Sequence, residues 1–407
     1  MRITIVGINY APEPTGIAPY TAGTARGLAA RGHAVTVVTG VPHYPDWRVS
    51  EEYRGVRRRT ESDGAVRLQR VGLYVPDGVT TARRVRMEAG FAARATVCGW
   101  GRPEVVLVIS PALLSAAAVV ERARCMRVPV GVVVQDLYGP GVVETGVATG
   151  RAAQAVATIE RRVLSRADAV SVIHDRFRDQ VAALGARRVR TIRNWTHVAA
   201  SAEPTAAERS AMRRRHGWSD GETVVLHAGN MGLKQGLESV VDAARLVGSD
   251  DRIRFVLLGD GNRRRVLEEA GRDVGALQFL RPVDDDEFPV ILAAADVLLI
   301  NERPEVGDMA LPSKLTSYAA AGRPVLAATR VDSVTAHEIR SAGLGSVIAP
   351  GDPALLARSA AELAADPARV DAFGAAGRRY AREVLAEAVA IDHYEDWCVE
   401  LTAGRRR

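Results

Sequence analysis

RITIVGINYAPEPTG, residues 2–16, runs apolar from Ile3 to Ile8 and then breaks into a loop rich in proline and glycine. Helical spacing holds over Ile17–Arg31, Gly32-His33 interrupts it, and a second apolar run follows at Ala34–Thr39. A strand that reads as a continuous apolar run is buried on both faces. Strand, loop, helix and strand in that order open a doubly wound parallel sheet, whose ligands bind outside the carboxyl ends of the strands. The loop lacks GxGxxG, so the dinucleotide fingerprint is absent.

The same unit starts afresh at Thr223: strand TVVLHAG, loop NMGLKQG, helix Leu237–Val247, strand Ile253–Leu258 and the turn Gly259-Asp260-Gly261. Further strand patterns fall at Val66–Val71, Val105–Ile109, Val128–Val134, Ala169–His174 and Val189–Arg193 in the first half. In the second they fall at Ala276–Leu280, Val297–Ile300, Pro324–Ala328 and Gly345–Ala349. The expected fold class is α/β, with two doubly wound, Rossmann-like parallel-sheet domains facing each other across a cleft. Its expected divisions are an acceptor-side domain over 1–195, a connection with one short helix over 196–220, a nucleotide-binding domain over 221–385, and a C-terminal helix over 386–407 packing back on the first domain.

A chain of 407 residues is too long for one ordinary core and fits two. No apolar run has the length or continuity of a membrane span, and no secretory leader pattern is present, so a cytoplasmic protein is expected. Cys98, Cys125 and Cys398 form no CxxC pair, which argues against structural zinc. Charge is uneven: residues 1–200 carry 28 Arg against 16 Asp and Glu (+12), while the rest carries 26 basic residues against 32 acids (−6), summing to the net +6. The basic first half is the part expected to meet an anionic surface. Within it, Arg54–Arg59 is a basic region, and Thr80–Val97 spaces Arg83, Arg84, Arg86 and Arg94 among Val85, Met87 and Phe91. That pattern suits a surface helix or an amphipathic helix on anionic lipid.

Of 54 basic residues, 52 are Arg and two are Lys, Lys234 and Lys314. In so arginine-biased a chain, a lysine suggests a site that wants a compact point charge. Lys314 lies in LPSKLTSYAAAGRPV, residues 311–325, where Pro312, Ser313, Lys314 and Leu315 open a helix. Helix N-termini favour anions, phosphate above all. Lys234 lies in the loop that also holds Gly229 and Asn230. These two stretches and the turn Gly259-Asp260-Gly261 all follow strands at one sheet edge. Glycines let the backbone approach a nucleotide diphosphate, lysines neutralise it, and no metal is required. Asp284-Asp285-Asp286 are read as a helix cap instead of a metal site.

The chain resembles the retaining nucleotide-sugar glycosyltransferases of family 4, of GT-B fold, and within them the enzymes of bacterial surface polysaccharides such as colanic acid and O-antigen. The segments that carry the likeness are GINYAPEPTGIAPYT (7–21), RGHAVTVVT (31–39), VPHYPDW (41–47), VVQD (133–136), RNW (193–195), HAGNMGLKQGLE (227–238), LLGDG (257–261), LPSKL and AAGRPV. The resemblance implies transfer of a sugar from a nucleoside diphosphate to an acceptor hydroxyl. It places Lys234 on the donor diphosphate, with Asn230 where many members have arginine, and Thr15-Gly16 near the donor phosphates. Gln135 falls where many members have a histidine facing the anomeric carbon, with Asp136 beside it, and His43 and Tyr44 fall on the acceptor side. The family's paired glutamates are missing, Ser317 and Met309 standing at or near their positions; Asp308 and the Pro312-Ser313-Lys314 triplet substitute. The implied partners are a nucleoside-diphosphate sugar, a polyprenyl-diphosphate-linked glycan and the inner face of an anionic membrane, with no nucleic acid. A non-hydrolysing nucleotide-sugar epimerase, and a catalytically silent protein binding nucleotide sugar or anionic lipid, are the alternatives.

Overall fold

The computed structural model describes residues 1–14, 16–77, 80–110, 112–137, 151–196, 203–247, 252–306 and 311–404. Thr15, Asp308 and Met309 lie outside the described residues. The chain divides into two compact units, one of residues 1–194 with 387–407 and one of 195–386.

In the first unit, strands β1 (Arg2–Val6), β2 (Ala34–Gly40), β3 (Arg58–Asp63), β4 (Val66–Val71), β5 (Val105–Ser110), β6 (Val130–Val134), β7 (Ala169–Val172) and β8 (Val189–Thr191) form one sheet. Its order is β3-β4-β2-β1-β5-β6-β7-β8. All pairs run parallel except β3 with β4, which forms a hairpin. Helices α1 (Ala18–Ala30), α2 (Thr81–Val97), α3 (Leu113–Cys125), α4 (Arg151–Arg166) and α5 (Arg176–Ala183) link the strands. Every residue of β5 and β6 is buried, as continuous apolar runs require.

Two basic stretches of the first half take their places in this unit. Part of Arg54–Arg59 is the edge strand β3, where Arg59 pairs with Glu52 and Glu61 at 3.0 Å and Arg70 of β4 meets Glu61 at 2.8 Å. On α2, Met87 and Phe91 are buried, so its apolar stripe faces the core; Arg84 pairs with Glu88 at 3.4 Å and Arg86 covers the Tyr74 ring.

In the second unit, α6 (Ala206–His216) has a capping box between Thr205 and Glu208 and stops at Gly217, whose φ of 71° is left-handed. Met212 and Trp218 enter the core, so these residues are part of the unit, although the sequence reads as a connection there. Strands β9 (Thr223–Ala228), β10 (Ile253–Leu258), β11 (Leu277–Leu280), β12 (Val297–Asn301), β13 (Val325–Ala328) and β14 (Gly345–Ile348) form an all-parallel sheet in the order β11-β10-β9-β12-β13-β14. Helices α7 (Glu238–Leu246), α8 (Arg264–Ala270), α9 (Phe288–Ala294), α10 (Lys314–Ala321), α11 (Val334–Ala342), α12 (Pro353–Ala364) and α13 (Pro367–Glu383) complete it. Val224, Leu226 and Leu298 pack on one face, and Val225, Phe255 and Leu299 on the other. The Asp284–Asp286 cap is corrected: Glu287 is the N-cap of α9 without a side-chain bond, and Asp284 contributes its backbone carbonyl.

The last helix, α14 (Glu387–Ala403), belongs to the first unit. Trp397 lies against Gly131 of β6, and Glu395 binds His33 Nε2 at 2.8 Å. No described helix is long and apolar enough to cross a membrane.

Candidate active site

At the carboxyl edge of the second sheet, the loops after β9 and β10 are fastened back to back. Gly229 donates its N–H to Leu258, and Met231 to Asp260, at 2.8 Å each. A Cβ on Gly259, whose φ is +138°, would stand 1.9 Å from the Gly229 carbonyl oxygen, so only glycine allows this approach. Gly261 meets Met231 and Asn230 in the same way, its added Cβ falling 2.5 Å from the Met231 oxygen.

Lys314, the first residue of α10, comes to the same place: its Cε and Nζ lie 3.5 Å from where a Cβ on Gly229 would stand. The ammonium is held 3.0 Å from Nε2 and 3.4 Å from Nδ1 of His227, on β9. Burial lowers the Lys314 pKa to about 7, against the attraction of the Glu302 carboxylate. Burial and the neighbouring lysine drive His227 well below its usual value. Glu302 is itself buried and accepts hydrogen bonds from the hydroxyls of Thr329 and Thr335. The structure thus brings Gly229, Asn230, Gly259, Asp260, Gly261 and Lys314 together.

Lys234 stands exposed on the 3-10 turn Leu233–Gln235 of the same loop. That turn is pinned from β12: Asn301 Nδ2 donates to the carbonyls of Gln235 and Gly236 at 2.7 and 3.0 Å, and the Arg303 N–H donates to the Lys234 carbonyl at 3.0 Å. A cavity of about 380 Å³ opens beside it, lined by Gly236, Ser239, Asn301, Glu302 and Arg263 among others. A larger hollow of about 820 Å³ lies at the opposite, amino end of the sheet around Glu222, Arg252 and Asp273, away from these groups.

Pro312 is half-buried and Ser313 exposed at the head of α10. Leu315 departs from expectation: its side chain is in the core and its N–H is donated to the Pro312 carbonyl at 3.0 Å. Sequence reading missed His227, Glu302 and Asn301. A histidine inside TVVLHAG was the one available signal, since a polar residue in a buried strand needs a partner.

In the first unit, a pocket of about 440 Å³ opens at the carboxyl ends of β1, β2 and β6, lined by Asn9, Gly16, His43, Tyr44, Arg84 and Asp136 among others. Four of the residues singled out from sequence therefore share one hollow. Its loop is built on Glu13, a buried carboxylate that accepts from the His43 and Tyr44 N–H groups at 2.8 and 3.0 Å and from Asn9 Nδ2 at 2.8 Å. Gln135 behaves differently from Asp136: it is buried, and its Oε1 accepts from Asn194 Nδ2 at 2.7 Å.

Two family models match these halves separately, the glycosyl transferase 4-like domain over residues 15–195 and the glycosyl transferases group 1 over 222–366. The chain belongs to these glycosyltransferases, and its two parallel-sheet α/β units are those of the GT-B fold. Among curated proteins it is 32% identical, over 79% of its own length and 82% of the relative's, to the putative colanic acid biosynthesis glycosyl transferase WcaI of Escherichia coli. Among solved structures it superposes on sucrose-phosphate synthase of Thermosynechococcus elongatus with a TM-score of 0.73 at 19% identity, covering 99% of this chain and 100% of that one. Anabaena HepE, solved in complex with UDP and glucose, gives a TM-score of 0.70 at 14% identity, over 98% of this chain and 99% of that one.

Proposed function

We propose that this glycosyltransferase moves a sugar from a nucleoside diphosphate to an acceptor hydroxyl with retention of configuration, in the assembly of a bacterial surface polysaccharide. The observation that carries the reading is the placement of Lys314 against the bare Gly229 backbone at the carboxyl end of β9. Negative charge grows on the leaving diphosphate as the glycosidic bond breaks. A cation already in position stabilises that charge without reorganising at the moment of reaction.

In this reading Lys314 meets the diphosphate from α10, Lys234 meets it from the neighbouring turn, and the two fixed cations do the work a metal would otherwise do. The turn Gly259–Gly261 lines the donor site, and Pro312 and Ser313 shape its edge. Thr15 and Asp308 remain assigned to the donor by resemblance alone. The acceptor enters the first-unit pocket over His43 and Tyr44, with Asp136 orienting its hydroxyl. Gln135 serves the anomeric centre through the Asn194 contact. The reading further assigns the acceptor to polyprenyl-diphosphate-linked glycans and the enzyme to the inner face of the membrane.

The likeness to WcaI supports the polysaccharide setting, and the HepE complex with UDP and glucose supports a nucleotide-sugar donor. Purified protein incubated with labelled UDP-, GDP- and dTDP-sugars and a lipid-linked acceptor should yield a glycosylated lipid whose new linkage keeps the donor's anomeric configuration, with EDTA present throughout. Inversion would overturn the retaining mechanism, and dependence on added metal would overturn the role given to the lysines. Epimerised donor without any acceptor product would point to the epimerase instead.

A further inference from the structure

Lys314 does not end in open solvent, and what it ends against is specific. His227 is fully buried on β9, among the apolar side chains of a strand whose other inner residues are Val224, Val225, Leu226 and Ala228. A buried imidazole in such a place must satisfy both ring nitrogens. Its partners among the described residues are the Lys314 ammonium at 3.0 Å from Nε2, the Asn230 carbonyl at 3.5 Å from Nε2, and the Leu299 backbone. An imidazolium here would put two cations at contact distance, so the ring is neutral. Nζ lies 3.0 Å from Nε2 and 3.4 Å from Nδ1, so it sits over the face of the neutral ring and not on an in-plane lone pair.

We propose that His227 is a positioning residue for the donor site: its ring face seats the ammonium and holds the Lys314 side chain in the one orientation that presents it beside Gly229. The proposal deepens the diphosphate reading of this site and rests on it. Without a partner beneath it, a lysine on the first turn of a helix would swing between rotamers. The face of a neutral imidazole supplies that partner without adding charge, so the cation stays available to the anion above it. A carboxylate in the same place would neutralise the ammonium and compete with the ligand. The other charged group facing the amine is Glu302, after β12, and its carboxylate is already engaged by Thr329 and Thr335. Asp260 and Lys234 stand exposed on the adjoining turns.

The test uses the full chain with His227→Leu, which removes the ring, and His227→Phe, which restores an aromatic face, and thermal melting checks that each folds. The first readout is the reactivity of the Lys314 amine toward acetic anhydride from pH 5.5 to 9.5 in the ligand-free protein. Wild type and His227→Phe should titrate near one another, and His227→Leu at lower pH, because the ammonium loses the partner that favoured it. The second readout is calorimetric affinity for inorganic pyrophosphate at pH 7. His227→Leu should bind about tenfold more weakly, the effect of losing the aromatic face beneath the cation, with His227→Phe recovering most of it. An unchanged amine titration in His227→Leu overturns the proposal, and so does equal loss of affinity in both variants when both fold. Should wild type bind no pyrophosphate while the amine still titrates as expected, the lysine–histidine coupling stands and the diphosphate reading of the site falls.

Discussion

Nζ of Lys314 lies 3.0 Å from Nε2 of His227, two residues separated by 87 positions in the chain. Neither can be charged freely beside the other: burial takes the lysine down to about 7 and the histidine well below its usual range. The site therefore keeps one titrating cation in the neutral pH range, where an anionic ligand can control it.

This cation should show in stability. The folded-state pKa of Lys314 is lowered, so the unfolded chain binds the proton more tightly between about 7 and 10.5. The cost of enclosing the ammonium is full below pH 7, shrinks as pH rises through that window, and vanishes above it. Lys314→Met should be more stable than wild type at pH 6 by about 2 kcal/mol, less than the whole shift would imply because the residue is only half-buried. Urea unfolding at pH 6 and pH 9 measures the difference, which should narrow at the higher pH; a difference that widens contradicts the assignment.

Ligand binding should couple to the same proton. A diphosphate beside the amine favours the ammonium, so binding above pH 7 takes up a proton and UDP affinity falls as pH rises from 7 to 9. Calorimetry in buffers of different ionisation heat reads the uptake directly. In Lys314→Met the uptake should disappear and affinity at pH 7 should drop by about tenfold to a hundredfold, the loss of one charge-assisted contact.

Asn301 is predicted to act on Lys234 through the backbone. Its Nδ2 holds the carbonyls of Gln235 and Gly236, and its replacement leaves both without that donor. Asn301→Ala should cost about 2 kcal/mol of stability in the second unit and weaken donor binding about as much as Lys234→Ala does. Tight donor binding in Asn301→Ala, together with weak binding in Lys234→Ala, would separate the turn's geometry from its charge.

Glu13 should matter to the acceptor and leave the donor untouched. Three donors converge on its buried carboxylate, and an amide oxygen in its place would face N–H groups with fewer lone pairs and a competing NH₂. Glu13→Gln should destabilise the first unit by about 2 kcal/mol and raise the KM for acceptor severalfold while donor KM stays within about twofold. A rise confined to donor KM would move this loop out of the acceptor role.

Much of this protein is written locally. Buried parallel strands need unbroken apolar runs and tight turns need glycine, so β1, β5, β6, β9 and β12 and the loops after β9 and β10 are visible in order of sequence. The rarity of lysine in an arginine-rich chain also marks Lys234 and Lys314 in the sequence itself. The β3 hairpin is obscured because the strand has no apolar residue on either face, Arg58, Thr60 and Ser62 pointing outward and Arg59, Glu61 and Asp63 half-buried, as an edge strand allows.

What sequence alone determined was the alternation of elements and the edge at which chemistry collects. Tertiary structure decided which polar residues meet: His227 with Lys314, Asn301 with the Lys234 turn, Glu13 with the His43 loop. These partners lie 30 to 87 positions apart and meet because the crossovers set β9 beside β12 and β1 beside β2. A contact of that range depends on strand order and on the direction each side chain leaves its sheet, and neither is recorded in the neighbours of a residue along the chain.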